Sequence, residues 1–371
     1  MADDQPGRDP LAAHAALGGA VEDELDHDRR RDRRPQSADQ RRLRHVAATT
    51  GEGGKEVRAV DEQPVGGRQR IARSRHPLIV RADRAAATID RVSLLLVDLD
   101  GVVYRGADPV PGVAAVLADR AARGDDVVYV TNNSMHYRAD YVARLAAMAC
   151  PVSPDRVVSS SRATALHIQR HEPGIRRVLA VGAGGLEREL RDVGLDVVTA
   201  GHAATRMHQE GVDGWTAAGA PDAVVTGLDP ALTYLRLAAA ADCVRAGSRF
   251  IATNRDPVYP TERGLRPGAG AIAAALEATT GVTPLSIGKP EPHLLELAAE
   301  AVGRDASEAV MIGDGIGTDL AAARAVGARC VLMLTGVTTP AQVEALPAEQ
   351  RPDAVARDAT ELAAALERLT R

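Results

Sequence analysis

Short runs of valine, leucine and isoleucine alternate with alanine-rich segments from about residue 92 to the end of the chain. The apolar runs predict strands, and the longer alanine-rich segments predict helices. The predicted strands are 93–98, 126–130, 157–159, 177–181, 196–198, 222–226, 249–253, 284–287, 309–312 and 329–333. The predicted helices are 112–123, 137–149, 161–171, 184–193, 231–246, 269–279, 291–302 and 317–326. Such alternation is typical of crossover units on parallel sheets, so the sequence predicts an α/β fold.

Residues 1–88 lack this pattern. They are rich in arginine, aspartate, glutamine and glycine and contain no aromatic residue. We expect this segment to be disordered, or to result from a mis-assigned start codon. The run DHDRRRDRRPQSADQRRLRH is an alternative candidate for a nucleic-acid arm, but its acidic residues nearly cancel its basic ones.

Composition excludes several classes of protein. The net charge of -5 provides no broad basic field for nucleic acid. No apolar run reaches the roughly 18 residues of a membrane span, and the N-terminus has no apolar signal core. The three cysteines, Cys150, Cys243 and Cys330, stand far apart without metal-type spacing. A cytoplasmic protein is therefore expected.

Two acids, Asp98 and Asp100, stand at the end of the first predicted strand, in the segment DLDG. Residues two apart in a strand point to the same face of a sheet, and ligands bind at the carboxyl ends of parallel strands. Two acids with a bound Mg²⁺ make a coherent site there, because Mg²⁺ takes oxygen ligands. Gly101 permits close approach of the backbone. Taken alone, DLDG also fits a strand-to-turn junction with a helix cap.

Polar residues also follow the second predicted strand, in the segment TNNS. The hydroxyl and amide groups of Thr131, Asn132 and Asn133 could hold a phosphate, although a simple turn is the alternative. Lys289, in SIGKPEP, is one of only two lysines in a chain with 45 basic residues. A lysine kept in this setting predicts a point cation that neutralises phosphate and offsets the two acids.

A further pair of acids lies in the segment GDGIGTD. Asp314 stands at a strand end and is placed to be a third metal ligand. Asp319 opens the next predicted helix, where it either binds metal, caps the helix or anchors the loop from behind the ligands.

The ordered set DLDG, TNNS, GKP and GDGIGTD resembles the four motifs of the haloacid dehalogenase superfamily. The intervening segments VVTGLD, FIATNRD and PTERGLRPGAGA resemble its p-nitrophenyl phosphatase, phosphoglycolate phosphatase and pyridoxal phosphatase branch. The resemblance implies a doubly wound, Rossmann-like parallel-sheet core with an inserted α/β cap. We expect the core at 89–172 and 284–371 and the cap at 173–283.

The resemblance also implies a role for each motif residue. Asp98 would be the nucleophile that forms an aspartyl-phosphate, and Asp100 would be the general acid and base. Thr131, Asn132, Asn133 and Lys289 would bind the phosphoryl group. Mg²⁺ would be held by the residues of the acidic motifs: Asp98, the backbone carbonyl of Asp100, Asp314 and Asp319.

The predicted cap carries weaker signals. Asn254 and Asp256 follow a strand, and the resemblance implies that they border the substrate, whereas ordinary turn residues are the alternative. The segment VGAGGLE imitates a dinucleotide-binding loop, but the following strand lacks the acid that would bind the ribose. Met135 and His136 depart from the family pattern near the junction of core and cap.

We therefore expect a Mg²⁺-dependent phosphatase for small phosphate monoesters such as 2-phosphoglycolate, glycerol 3-phosphate, pyridoxal phosphate or p-nitrophenyl phosphate. The alternative is a non-catalytic module that binds a phosphorylated ligand on the same fold. The expected partner is a small phosphorylated metabolite, with neither nucleic acid nor membrane involved. A homodimer is left open.

Overall fold

The computed structural model describes residues 93–217, 219–261 and 264–370. Its strands, numbered in chain order, are β1 (Leu94–Asp98), β2 (Tyr104–Arg105), β3 (Asp108–Pro109), β4 (Asp126–Thr131), β5 (Val157–Ser159), β6 (Arg177–Val181), β7 (Asp196–Thr199), β8 (Ala223–Thr226), β9 (Arg249–Ala252), β10 (Val258–Thr261), β11 (Gly264–Pro267), β12 (Leu285–Ser286), β13 (Val310–Gly313), β14 (Arg329–Met333) and β15 (Ala354–Ala356).

Helices connect most of these strands. They are Val113–Ala122, Arg138–Ala147, Ser160–His171, Gly184–Asp192, Ala200–Ala217, Tyr234–Arg245, Ala269–Thr280, His293–Glu300, Ala321–Ala325, Pro340–Glu344 and Ala359–Leu369. A π-helical turn at Ile316–Leu320 precedes Ala321–Ala325. Several helices start where the sequence supplies a cap; for example, the Ser159 hydroxyl accepts a hydrogen bond from the backbone N–H of Arg162.

The first sheet has six parallel strands in the order β15-β14-β13-β1-β4-β5. Strand β1 lies inside it, with Leu96 opposite Met311 of β13 and Val128 of β4. The side chains of β1 alternate between two hydrophobic clusters, Leu94 and Leu96 on one face and Leu95 and Val97 on the other. Both faces are therefore buried, as a parallel sheet requires.

The second sheet has five parallel strands in the order β12-β9-β8-β6-β7. The cluster that contains Leu94 and Leu96 also contains Val178, Ala223 and Leu186, so one hydrophobic core joins the two sheets. Strand β12 pairs with β9 of this sheet, although it lies just beyond the predicted cap. The division into core and cap at 173–283 otherwise stays a prediction.

These parallel sheets confirm the predicted α/β class. The structure adds elements that the pattern did not predict. They are the β2–β3 and β10–β11 hairpins, the helix Ala200–Ala217, and the segments Pro340–Glu344, Ala354–Ala356 and Ala359–Leu369. The β10–β11 hairpin consists of exposed or half-exposed residues and so lacks an apolar run. The predicted disorder of 1–88 lies outside the described residues.

Helix Gly184–Asp192 packs closely against the segment that follows β4. The backbone N–H of Gly185 donates to the carbonyl oxygen of Met135 at 3.1 Å. A Cβ atom on Gly185 would come within 2.3 Å of that oxygen. Close backbone contact thus accounts for this glycine of VGAGGLE without a dinucleotide.

Candidate active site

Three strand ends of the first sheet bring the candidate catalytic residues together. Strand β1 ends at Asp98, β4 ends at Thr131, and β13 ends at Gly313, next to Asp314. Because β1 is hydrogen-bonded to both β4 and β13 and all three are parallel, these ends meet at one edge of the sheet. The candidate residues therefore lie together at this edge, while their catalytic roles stay predictions.

The carboxylates of Asp98, Asp314 and Asp319 form a buried cluster. One oxygen from each lies within 4.8 Å of the others. The Nζ of Lys289 donates to Oδ1 of Asp98 at 2.7 Å and to Oδ1 of Asp319 at 2.6 Å. The lysine side chain is 3 % exposed, so these contacts are shielded from water. Three acids thus face a single fixed cation.

The electrostatics of the cluster follow from burial and from this excess of negative charge. Burial raises the pKa of Asp98 well above its usual value, although Lys289 opposes the shift. Burial, with the charge of Asp319, raises the pKa of Asp314 to about 6. For Lys289 burial acts to lower the pKa, but Asp319 and Asp98 outweigh it and the pKa is raised. One lysine does not neutralise the three carboxylates, and a second cation would stabilise their charged forms.

The two carboxylate oxygens of Asp319 have different partners. Its Oδ2 accepts hydrogen bonds from the backbone N–H groups of Asp314 and Gly315 at 3.1 and 2.8 Å. Its Oδ1 faces Lys289. One oxygen of Asp319 therefore anchors the loop and the other faces Lys289, while its role as a metal ligand stays a prediction.

Two glycines approach the Asp314 carboxylate so closely that a side chain at either position would collide with it. A Cβ atom on Gly101 would lie 2.3 Å from Oδ2 of Asp314, and one on Gly336 would lie 1.8 Å from the same oxygen. That oxygen accepts a hydrogen bond from the backbone N–H of Val337 at 2.7 Å. The glycines form a tight cradle that fixes the carboxylate. With its oxygen donors, the cluster fits a hard divalent cation.

Asn132 connects this cluster to the second sheet. Its Oδ1 accepts from the backbone N–H of Lys289 at 2.9 Å, and its Nδ2 donates to the Lys289 carbonyl oxygen at 2.8 Å. The same Nδ2 lies 3.0 Å from Oδ2 of Asp256. Asn254 donates from its Nδ2 to the Asn132 carbonyl oxygen at 2.7 Å. The four residues, predicted separately, form one network.

The remaining residues of TNNS shape the turn. The hydroxyl of Thr131 accepts from the backbone N–H of Asn133 at 3.1 Å. The Asn133 side chain accepts in turn from the backbone N–H of Met135 at 3.0 Å. The carboxamide oxygen of Asn133 is therefore engaged in the turn. The phosphate-binding role of Asn133 stays a prediction.

Asp100 lies apart from the carboxylate cluster. It is exposed, and its backbone forms an isolated bridge with Tyr104. The surrounding protein raises its pKa by desolvation, while Arg144, Lys289 and His136 act to lower it. The structure therefore separates the two acids of DLDG into a buried and an exposed member.

The hydroxyl of Ser134, the last residue of TNNS, accepts from the backbone N–H of Leu228 at 2.9 Å. Sequence reasoning missed other supporting residues, among them Ser160, whose hydroxyl donates to the Asn132 carbonyl oxygen at 2.6 Å. Gly336 and Val337 follow β14 in the segment LTGV. A glycine just after a strand was the signal that could have identified this last loop.

Comparison with known proteins decides the family. A haloacid dehalogenase-like hydrolase model matches residues 95–196, and a HAD-like hydrolase model matches residues 286–362. An acid sugar phosphatase of Staphylococcus aureus is 37 % identical over 249 residues, which cover 67 % of this chain and 89 % of the relative. The chain belongs to the haloacid dehalogenase-like hydrolases. This confirms the resemblance carried by the four motifs.

Solved structures place this haloacid dehalogenase-like hydrolase in the expected branch. The p-nitrophenyl phosphatase of Archaeoglobus fulgidus superposes with a TM-score of 0.65 and 30 % identity, covering 74 % of this chain and 99 % of its own. The glycerol phosphate phosphatase of Mycobacterium tuberculosis, solved with magnesium, gives 0.63 and 32 %, covering 74 % and 77 %. The hydrolase is a phosphatase that acts on phosphate monoesters. Across the described ranges, no helix is long and apolar enough to cross a membrane.

Proposed function

We propose that this hydrolase is a Mg²⁺-dependent phosphatase of small phosphate monoesters that works through an aspartyl-phosphate on Asp98. The observation that carries the proposal is the convergence of Asp98, Asp314 and Asp319 around the buried Lys289. A nucleophilic carboxylate beside metal-ligating carboxylates and a cation is what phosphoryl transfer to an aspartate requires.

The metal ligands would be the three clustered carboxylates together with the backbone carbonyl of Asp100. Their fit rests on the oxygen donor set and on the glycine cradle that positions Asp314. Bound there, Mg²⁺ would offset the charge of the phosphoryl oxygens.

Two steps complete the reaction. An oxygen of Asp98 attacks phosphorus, the ester P–O bond breaks, and Asp100 donates its proton to the leaving oxygen. Asp100 then removes a proton from water, which attacks the aspartyl-phosphate to release phosphate and free Asp98. The raised pKa of Asp100 supports this role, because a proton carrier works best when its pKa approaches the working pH.

The phosphoryl group would be held by Thr131 and Lys289, and Asn132, whose carboxamide bonds to the Lys289 backbone and to Asp256, would position the lysine. An ammonium group has three donors, and two of those of Lys289 point to Asp98 and Asp319. The third is left for a phosphoryl oxygen. Asn254 and Asp256 would support this site through Asn132 and border the leaving group.

The substrate would be a small phosphorylated metabolite. The names of the relatives favour sugar phosphates and glycerol phosphate, and the branch as a whole adds 2-phosphoglycolate, pyridoxal phosphate and p-nitrophenyl phosphate. A second sheet packed on the catalytic one through a shared core supports small substrates over macromolecular ones.

The test is phosphate release from a panel of these esters by the full chain, with Mg²⁺ and with EDTA. We expect turnover only with the metal, and a loss of at least about 1,000-fold in Asp98→Asn. The exposed Asp196→Asn serves as the matched control, because Asp196 lies in β7 of the second sheet, away from the cluster. Metal-independent turnover, or an active Asp98→Asn variant, would refute the mechanism.

A further inference from the structure

Arg144 is held in a fixed position beside the general acid. Its guanidinium lies 3.5 Å from the centre of the Tyr104 ring and donates a hydrogen bond to the carbonyl oxygen of Gly106. Tyr104 is 1 % exposed, so the ring is a rigid platform. Stacking and a backbone contact orient a guanidinium in advance of ligand binding.

The guanidinium of Arg144 lies near Asp100 without forming an ion pair with it. No carboxylate oxygen of the described residues lies within 4.0 Å of its nitrogens. Arg144 is nevertheless the strongest of the positive charges that act on Asp100, ahead of Lys289 and His136. An oriented, half-buried guanidinium that forms no ion pair among the described residues has donors available for an anion.

Two further side chains surround the same place. The ring of His136 meets the ring of Tyr141 edge-on, with centroids 5.7 Å apart. Tyr259 belongs to the β10–β11 hairpin, which is a two-stranded sheet of its own. Burial raises the pKa values of Tyr104 and Tyr141, and the hydroxyl of Tyr259 contributes to both shifts, which places it on this side of the site.

The position of Asp100 indicates which part of the substrate would lie beside Arg144 and His136. Asp100 protonates the leaving oxygen in the proposed reaction, so the group attached to that oxygen lies beside Asp100. We propose that Arg144, assisted by His136, binds a second anionic group on the leaving portion of the substrate. The preferred substrates are then phosphomonoesters that also carry a carboxylate or a second phosphate. This inference rests on the proposed function.

The experiment compares esters that differ mainly in this charge. 3-Phosphoglycerate and glycerol 3-phosphate differ at one end by a carboxylate, and fructose 1,6-bisphosphate and fructose 6-phosphate differ by a phosphate. We expect kcat/KM to favour the charged member of at least one pair by about tenfold or more, as for a charge-assisted hydrogen bond. The preferred pair identifies the anion as carboxylate or phosphate.

Substitution then assigns the preference to Arg144. Arg144→Gln should reduce the ratio of kcat/KM values within the preferred pair by about tenfold or more. Arg144→Lys should restore part of it because the charge returns without the planar donors. Arg245→Gln, at an exposed arginine paired with Asp242, is the control and should leave the ratio unchanged.

Each contrary outcome is distinct. A wild-type enzyme that hydrolyses both members of each pair equally would overturn the inference while leaving the phosphatase intact. An equal loss on charged and uncharged esters in Arg144→Gln would assign Arg144 to the support of Tyr104 and Asp100 and would also overturn it. Failure of the wild type to release phosphate from every ester with Mg²⁺ would instead count against the proposed function.

Discussion

A single buried lysine balances the catalytic carboxylates. In a chain whose basic residues are almost all arginine, Lys289 lies between Asp98 and Asp319. An ammonium group is compact and can direct three donors in different directions, whereas a guanidinium is a flat fork. A site that must reach two carboxylates and a phosphoryl oxygen from one atom therefore favours lysine.

Removing that charge should destabilise the protein. Lys289→Gln leaves buried carboxylates without their cation, and we expect the free energy of unfolding to fall by about 3–5 kcal/mol at pH 7.5 in EDTA. The pKa values of Asp98 and Asp314 are raised in the folded state, so folding favours their protonated forms. The stability lost in Lys289→Gln should therefore become smaller as the pH falls through about 6, the pKa of Asp314.

Urea denaturation at pH 7.5 and pH 5 measures both effects. Arg245→Gln removes an exposed charge and should change the unfolding free energy by less than about 1 kcal/mol. A Lys289→Gln variant with an equal deficit at both pH values would show that the carboxylates do not cause it.

At the scale of elements, helix Gly184–Asp192 is attached to the segment after β4 by buried charge. Glu189 is 0 % exposed and forms ion pairs with Arg138 and, at 3.6 Å, with Arg162. It also accepts from the backbone N–H of Arg138 at 3.1 Å. Asp192, one turn later, is exposed and accepts a hydrogen bond from the Tyr137 hydroxyl. The helix thereby fixes the position of the segment that follows TNNS.

The two acids should differ in their contribution to stability. Glu189→Gln removes the fully buried carboxylate that pairs with the half-buried Arg138 and Arg162, and should cost about 3–5 kcal/mol. Asp192→Asn removes an exposed pair and should cost less than about 1 kcal/mol. Chemical denaturation of both variants measures the difference, and similar costs would contradict the importance assigned to burial.

Elements were predictable where they are buried. The runs LLLVD and VMIG are apolar because both faces of the first sheet are covered, so period and composition identified β1 and β13. The β10–β11 hairpin has mostly exposed residues, and its antiparallel pairing depends on a turn rather than on an apolar face. The three-residue strand Ala354–Ala356 is too short for periodicity to be detected.

The complete candidate site lies within the C-terminal unit of the chain, Asp83–Arg371. Family models begin at residue 95, and compact unit Asp83–Arg371 contains every site residue. A protein that starts at residue 83 should therefore keep kcat/KM for p-nitrophenyl phosphate within about twofold of the full chain, because it retains every candidate site residue. Steady-state kinetics of the two proteins, with matched circular dichroism, measure this. A large loss in a folded truncation would assign residues 1–82 a role in catalysis.

The candidate site was predictable to the extent that parallel strands bring their carboxyl ends together. That rule and the motifs together predicted that Asp98, Asp314 and Lys289 lie close to one another. It could not reveal that Asp100 is exposed while Asp98 is buried, because residues beyond a strand end no longer follow its alternation. Contacts such as Ser134 with Leu228 join positions 94 residues apart and leave no local signal.

The carboxamide of Asn132 has a consequence for folding. It joins the carbonyl oxygen of Lys289, 157 residues away, and the carboxylate of Asp256, 124 residues away. Neither bond can form until distant segments of both sheets have come together. A partly refolded chain can therefore regain most of its helical circular dichroism and still be inert. Turnover then reports the joining of the two sheets, which the helical signal does not.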